Sequence, residues 1–345
     1  MTLRFIDSFQ YENATDAADW VGGVQISTSI FRTGDRSLSV AAGSGKANYK
    51  FLPTGETLTE GFFGASLYVN TMTHAETASQ NLMGVCLAAQ GAVPQTHIYV
   101  SADNEIVAYR WGTVLGRSAV NVWQEYTWHY IDVWFKIHDS LGELKVWIDD
   151  ALVLNLTEID TKYHTQDGFD TLALGSVGGH YQTYVNDVYF DEDTRRGPCK
   201  VTAYKADANG FHTDFTPSAG NNYENVDEAI ADDDTTYNDG DAVGEKDCYD
   251  ITSESLDTIY GIRVRNTARK EGEVTPAKFR NFLRQGGTDY PADTSKTPGG
   301  TYKQFWDIWE TDPSDSNPWT QGKLDSGEFG LEVTQLGTTT TTTTT

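Results

Sequence analysis

Residues 129–137 read HYIDVWFKI and residues 142–148 read GELKVWI. Apolar side chains recur at every second position, the period of a strand with one face buried. Ile131, Val133, Phe135 and Ile137 fall on one side of the first stretch, with Tyr130, Asp132, Trp134 and Lys136 opposite. A slip of one residue would turn the whole apolar set to water, so the register of such strands is tightly specified. The pattern recurs from Leu3 to about Asp193. RSLSV puts Leu38 and Val40 on one face, and FFGASLYV groups Phe63, Ala65, Leu67 and Val69. KVWIDDALVLNL is a hairpin hinged on Asp149-Asp150, and VNDVYF closes the series. No segment shows a helix period with caps. Short alternating strands separated by turn clusters predict an all-β chain of antiparallel sheets packed face to face.

The Gly-Pro breaker in RRGPCK, residues 195–200, interrupts the pattern. It predicts one domain over 1–195 and a second β domain, sandwich-like, over 196–336. The second region is expected to open with a strand at VTAYKA. Strands resume at CYDI, IYGIRVRN, KFRNFLRQ, TYKQFWDIWE and EFGLEVTQ after a long acidic stretch. A threonine tail, 337–345, follows; its β-branched residues favour an extended strand along a neighbouring copy or another surface.

The chain carries 50 acidic and 25 basic residues, a formal net charge of −25. Such a field repels phosphate backbones and anionic lipid, which argues against nucleic acid and membrane partners. It also keeps a β protein soluble and resists pairing of sheet edges. Cys86, Cys199 and Cys248 are too few for a disulfide framework and fit no zinc spacing. Buried thiols are expected, with a Cys199–Cys248 bridge as the alternative. MTLRFIDSFQYEN has no apolar run of signal-peptide length, so folding in the cytoplasm of the producing cell is expected.

In order along the chain, FIDSFQY, TGDRSLSV, EGFFGASLYVN, TWHYIDVWFKI, GELKVWIDDALVLNL and VNDVYFDE resemble the laminin-G-like, concanavalin A-like jelly roll of bacteriophage virion proteins. VTAYKADANGFHTDFTPSAGNNYENVDE, DDDTTYNDGDAVGEKDCYDI, GIRVRNTARKEGE and WETDPSDSNPWTQGKLDSGEFGLEV resemble the companion domain of the same proteins. The resemblance implies a concanavalin A-like jelly-roll sandwich and a virion structural role. A tail fibre or adhesin is the leading expectation, and a capsid decoration protein the alternative. Partners would be other virion proteins, further copies of the chain in trimers, and host-surface glycan.

Catalysis is not expected. Glycoside hydrolysis needs two carboxylates roughly 5–9 Å apart across the scissile bond. Hydrolases of this fold supply them from a Glu-x-Asp-x-x-Glu strand, which the chain lacks. NDVYFDED offers only Asp187, Asp191 and Glu192, expected as polar strand edge and acidic turn; a polysaccharide depolymerase is therefore the second alternative. His97, His129, His138, His164, His180 and His212 are dispersed without metal spacing, and no Gly-x-Ser-x-Gly elbow exists. No catalytic, cofactor or metal site is assigned. The one ion worth weighing is Ca²⁺, at the loop holding Asp232, Asp233, Asp234, Asp239 and Asp241, where Thr235 and Lys246 stand at the key EF-hand positions. KADANG, with Asp207 and Asn209, is an equally partial match. A solvated acidic loop is the competing expectation. Tyr109, Trp111, Trp123 and Trp128 are candidates for stacking on sugar, against the alternative of filling the core. The sequon Asn155-Leu156-Thr157 carries no meaning in a bacterial cytoplasm.

Overall fold

The computed structural model describes residues 2–10, 20–22, 24–41, 47–52, 55–72, 82–88, 94–175, 181–228, 230–270 and 277–336. The threonine tail and His180 lie outside them. The chain divides into two compact units, Thr2–Ala203 and Tyr204–Thr345. Among the described residues no helix is long and apolar enough to cross a membrane.

The first unit contains β1 (Leu3–Asp7), β2 (Trp20–Val21), β3 (Val24–Ser27), β4 (Ser37–Val40), β5 (Ala47–Lys50), β6 (Glu60–Met72), β7 (Met83–Cys86), β8 (Pro94–Val100), β9 (Ile106–Arg110), β10 (Thr113–Arg117), β11 (Trp128–Lys136), β12 (Gly142–Ile148), β13 (Ala151–Ile159), β14 (Thr171–Leu174) and β15 (Tyr181–Asp191). One sheet runs β13-β12-β11-β6-β15-β4-β3, with β1 paired to β15; the other runs β10-β9-β8-β7-β14-β5-β2. All their pairings are antiparallel. This is a jelly-roll sandwich, and the alternation seen in the sequence builds its core. Ile131 pairs with Ala65 and Ile148, and Val133 with Phe63 and Val146. All six are buried, facing Ile98, Ala108, Leu172 and Tyr49 of the other sheet. Phe5 and Tyr49 join the layers, with ring centroids 4.4 Å apart.

The opposite face of the first sheet departs from expectation. Tyr130 and Asp132 are as buried as the core residues beside them. A strap of chain, Arg195–Ala203, covers them. Arg195 Nε donates to Asp132 Oδ2 at 3.0 Å, and Arg196 donates to Asp191 through Nε at 2.7 Å. Cys199 lies 2.9 Å from the Tyr130 hydroxyl, Val201 N donates to Asp187 Oδ1 at 2.9 Å, and Ala203 N donates to Gln10 Oε1 at 3.0 Å. The strap explains why the division falls at 203/204 and not at 195/196: the last strand ends at Asp191, and the chain then runs back over its own sandwich through the Gly-Pro breaker. It also explains why VTAYKA is no strand. Two of its amides, Val201 N and Ala203 N, are taken by side chains of the first unit, and the next strand begins only at Ala208.

Gly64 shows how closely this face is fitted. On β6 it lies between Tyr189 of β15 and Asp132 of β11 in the pairing register. The Tyr189 ring crosses it to donate a 2.5 Å hydrogen bond to Asp132 Oδ1, and a Cβ at position 64 would meet that ring at 2.0 Å.

The second unit contains β16 (Ala208–Thr213), β17 (Thr216–Pro217), a 3-10 turn at Asn222–Asn225, β18 (Asn238–Asp239), β19 (Lys246–Asp250), β20 (Ile262–Ala268), β21 (Lys278–Gln285), β22 (Thr288–Pro291), β23 (Lys303–Trp309), α1 (Gln321–Asp325) and β24 (Glu328–Gln335). Its main sheet runs β16-β19-β24-β21-β22, with separate ribbons β20-β23 and β17-β18. Val264 and Trp309 of one ribbon pack with Leu283, Ala292 and Trp319. The helix is too short to leave a period in the sequence. Cys86, Cys199 and Cys248 are all thiols, none in a disulfide.

Arg196→Met would leave the buried Asp191 carboxylate without its guanidinium. The first unit is expected to lose about 3 kcal/mol, measured by urea unfolding followed through tryptophan fluorescence. A loss near zero would show that the strap is not needed to hold that charge.

Candidate functional site

The acids singled out in NDVYFDED are the first to place. The pairing of β15 with β6 shifts register between Asn186 and Tyr189, and Asp187 sits in that bulge with φ 52°. Asp residues tolerate the left-handed region better than most. Its carboxylate accepts from Arg32 Nη1 at 2.8 Å, Thr33 Oγ1 at 2.7 Å and Val201 N. Asp191 accepts from Asp193 N, Thr194 N and Arg196. Asp132 accepts from Tyr189 and Arg195, and burial raises its pKa above the ordinary carboxylate value against the pull of both partners. Glu192 bonds Arg4. These acids are knitted into the sheet beneath the strap and do not line an open cleft. Burial pushes the nearby Cys199 thiol up to about 12, so it stays protonated at neutral pH.

The hinge residues of the 145–156 hairpin are similarly engaged. Asp149 and Asp150 take φ of 48° and 71°, as a two-residue hairpin turn of primed type requires. Asp149 reaches back to His129 Nδ1 at 2.7 Å and Tyr130 N at 2.8 Å, while Asp150 pairs with Arg195. His129, like Trp123 stacked on it at 4.7 Å, is part of the packing.

Of the four proposed sugar-stacking aromatics, Trp123 is buried, Trp128 packs on Tyr68 at 5.6 Å, and Tyr109 is half-buried beside His97. Trp111 alone is exposed, at 40%. It sits at the turn of the β9–β10 hairpin, beside Gly112 with φ 86°. The structure brings to it a residue that the sequence reading missed: Tyr163, 42% exposed, its ring centroid 6.1 Å from that of Trp111 at an interplanar angle of 43°. His164 meets Tyr163 edge-on at 4.8 Å. Two ion pairs flank these rings, Arg110 with Asp160 and Lys162 with Asp167 at 2.6 Å. The hydrogen bond from Lys162 holds the Asp167 carboxyl below its ordinary range. Two open aromatic faces beside hydrogen-bonding ion pairs can take the C–H face of a pyranose and its hydroxyls together.

The acidic loop of the second unit does not gather its carboxylates. Asp232 accepts from Thr236 N and Oγ1, and Asp234 pairs with Arg269 and Tyr302. Among the described residues no group of three or more His, Cys, Asp or Glu side chains could hold a metal ion. One acid of this unit with a raised pKa is Asp247, fully buried in β19, which accepts from Tyr249 Oη at 2.7 Å and Asn222 Nδ2 at 3.0 Å. Burial lifts its pKa to about 6, more than these two donors lower it.

No family model matches the chain and no curated protein matches it. Among solved structures, the cellulose-induced protein Cip1 is similar at 14% identity and TM-score 0.41, over 56% of this chain and 100% of its own. Alginate lyase Aly36B is similar at 11% identity and TM-score 0.35, over 56% and 96%. A Trypanosoma rangeli sialidase is similar at 10% identity and TM-score 0.35, over 49% of this chain and only 27% of the sialidase. The expectation of a chain without enzymatic activity is corrected by these neighbours, which include sialidases and an alginate lyase.

Asp247 gives a signed pH dependence. Its folded pKa of about 6 exceeds the ordinary carboxylate value of 3.8, so its protonated form favours folding. That contribution is complete below about 4 and lost as pH rises through about 6. Wild type is expected to gain melting temperature relative to Asp247→Asn as pH falls from 7 to 4, in paired thermal scans. Parallel curves would refute the assignment.

Proposed function

We propose that the protein is a bacteriophage virion component, tail-associated, whose jelly roll binds host-surface glycan through Trp111 and Tyr163. The observation that carries the reading is the exposed ring pair: two aromatic side chains, 52 positions apart in the chain (163 minus 111), held 6.1 Å apart on the rim of a rigid sandwich. The resemblance of the sequence to phage structural proteins supports the virion assignment. The flanking ion pairs are internally neutral, which suits an uncharged pyranose, whereas a polyanion would also meet the net charge of −25.

Assembly from several copies fits the same reading, because weak single-site sugar binding adds through avidity. β13 supports it. It ends the sheet order, carries Glu158 as its single charged residue and exposes Leu152 at 51%. Edge strands of lone proteins commonly carry Lys or Pro there.

A second reading, a polysaccharide depolymerase, is favoured by one observation. His97 of β8 pairs directly with Tyr109 of β9, ring centroids 5.2 Å apart, two residues before Trp111. A His–Tyr pair is a usable acid–base couple. New reducing ends from a bacterial polysaccharide that disappear in Tyr109→Phe would establish it.

Trp111→Ala is expected to weaken binding to a printed array of bacterial surface polysaccharides about tenfold or more, while the melting temperature holds. Unchanged array signals would exclude the rim as the binding surface. Leu152→Lys is expected to lower the mass seen by light scattering at high concentration. A wild-type chain that stays monomeric would remove the self-assembly part of the proposal.

A further inference from the structure

Loop 160–170 carries Tyr163 but contains no strand, apart from a single bridge at Phe169. Its start is tied at Thr161, whose N donates to His138 O at 3.0 Å and whose Oγ1 donates to Lys136 O at 2.6 Å, and its middle is held by one side chain of β8. Gln95 of β8 is completely buried. Its Oε1 accepts from Tyr163 N and His164 N, both at 2.8 Å. Its Nε2 donates to Gln166 O at 2.9 Å and Gly168 O at 3.0 Å. All four bonds go to backbone groups within six consecutive residues. A primary amide is the side chain that can offer two acceptor sites and two donors at once; a carboxylate lacks the donors and an ammonium the acceptors. The loop's far end is also fixed in place. Gly168 has φ 90°, and a Cβ there would meet Leu58 O at 2.5 Å.

We propose that Gln95 is a positioning residue for glycan recognition, setting the Tyr163 ring against Trp111 before ligand arrives. This rests on the rim being the sugar-binding surface. A loop of this length left without anchors would have to be ordered when sugar binds, at a cost of conformational entropy for each residue fixed. With Gln95 in place the loop is ordered beforehand, and the Tyr163 face is presented at a fixed distance and tilt. Gln95 touches no ligand; it acts through the loop.

Two independent measurements test this on the full chain. The first is amide hydrogen exchange without ligand. Protection at Tyr163 and His164 is expected to collapse in Gln95→Met, and to persist in part in Gln95→Glu, which keeps the acceptors and loses the donors. Unchanged protection at both amides in Gln95→Met would overturn the proposal. The second is a double-mutant cycle read as affinity for whichever array polysaccharide wild type binds. Gln95→Met is expected to weaken binding about tenfold in the wild-type background and not at all in a Tyr163→Ala background. Equal losses in both backgrounds would show a merely structural role and overturn it. If wild type binds no polysaccharide, the glycan reading fails, while the exchange experiment still decides whether Gln95 orders the loop.

Discussion

Three aspartates buried on the outer face of the larger sheet, Asp132, Asp187 and Asp191, constrain the first unit more than its apolar core does. An apolar core tolerates many sequences of similar volume, but a buried carboxylate has to be met by a charge or by hydrogen-bond donors. Arg32, Arg195 and Arg196 meet these three. Two of those arginines lie in the strap, so the strap belongs to the sandwich as much as any strand does. The bulge at Asp187, the absence of a side chain at Gly64 and the path of residues 195–203 follow from this requirement.

In β4, β6 and β11 the alternation of apolar residues was enough to place the strand and to name its core face. Period two is a local property, and Ile131, Val133 and Phe135 declare it within a few residues. What the period could not show was that the opposite face would be covered as well. Tyr130 and Asp132 look like solvent-facing positions in HYIDVWFKI, and only a segment more than sixty positions later makes them interior. The breaker in RRGPCK was read as a domain boundary and not as part of a return onto the same sheet, because Gly-Pro reports a local change of direction and says nothing of destination.

The candidate site was half legible for the same reason. Trp111 could be found, since an aromatic beside a glycine turn is a local signal. Tyr163 sits in KYHTQDGF, a polar stretch with no period, and becomes interesting only when the fold brings it beside Trp111. Gln95 offered still less, because a glutamine in an otherwise apolar strand is ordinary until its four partners are known. The acidic run of the second unit shows the converse: a dense local signal of carboxylates, which the fold then disperses among Thr236, Arg269 and Tyr302.

The two sheets thus divide the work of the jelly roll. The outer face of one is closed by the strap, with its acids saturated by arginine and backbone donors, so it has little polar capacity left for a ligand. At the rim, Trp111 of the β9–β10 hairpin and Tyr163 of loop 160–170 carry exposed rings beside two ion pairs, and the loop is held by the Gln95 amide. Under the proposed glycan reading, closing one face would leave recognition to the rim, whose loops can vary without disturbing the buried charges, because Gln95 and the three aspartates belong to different sheets. Loops held over a fixed scaffold can exchange residues while the strands beneath them stay undisturbed.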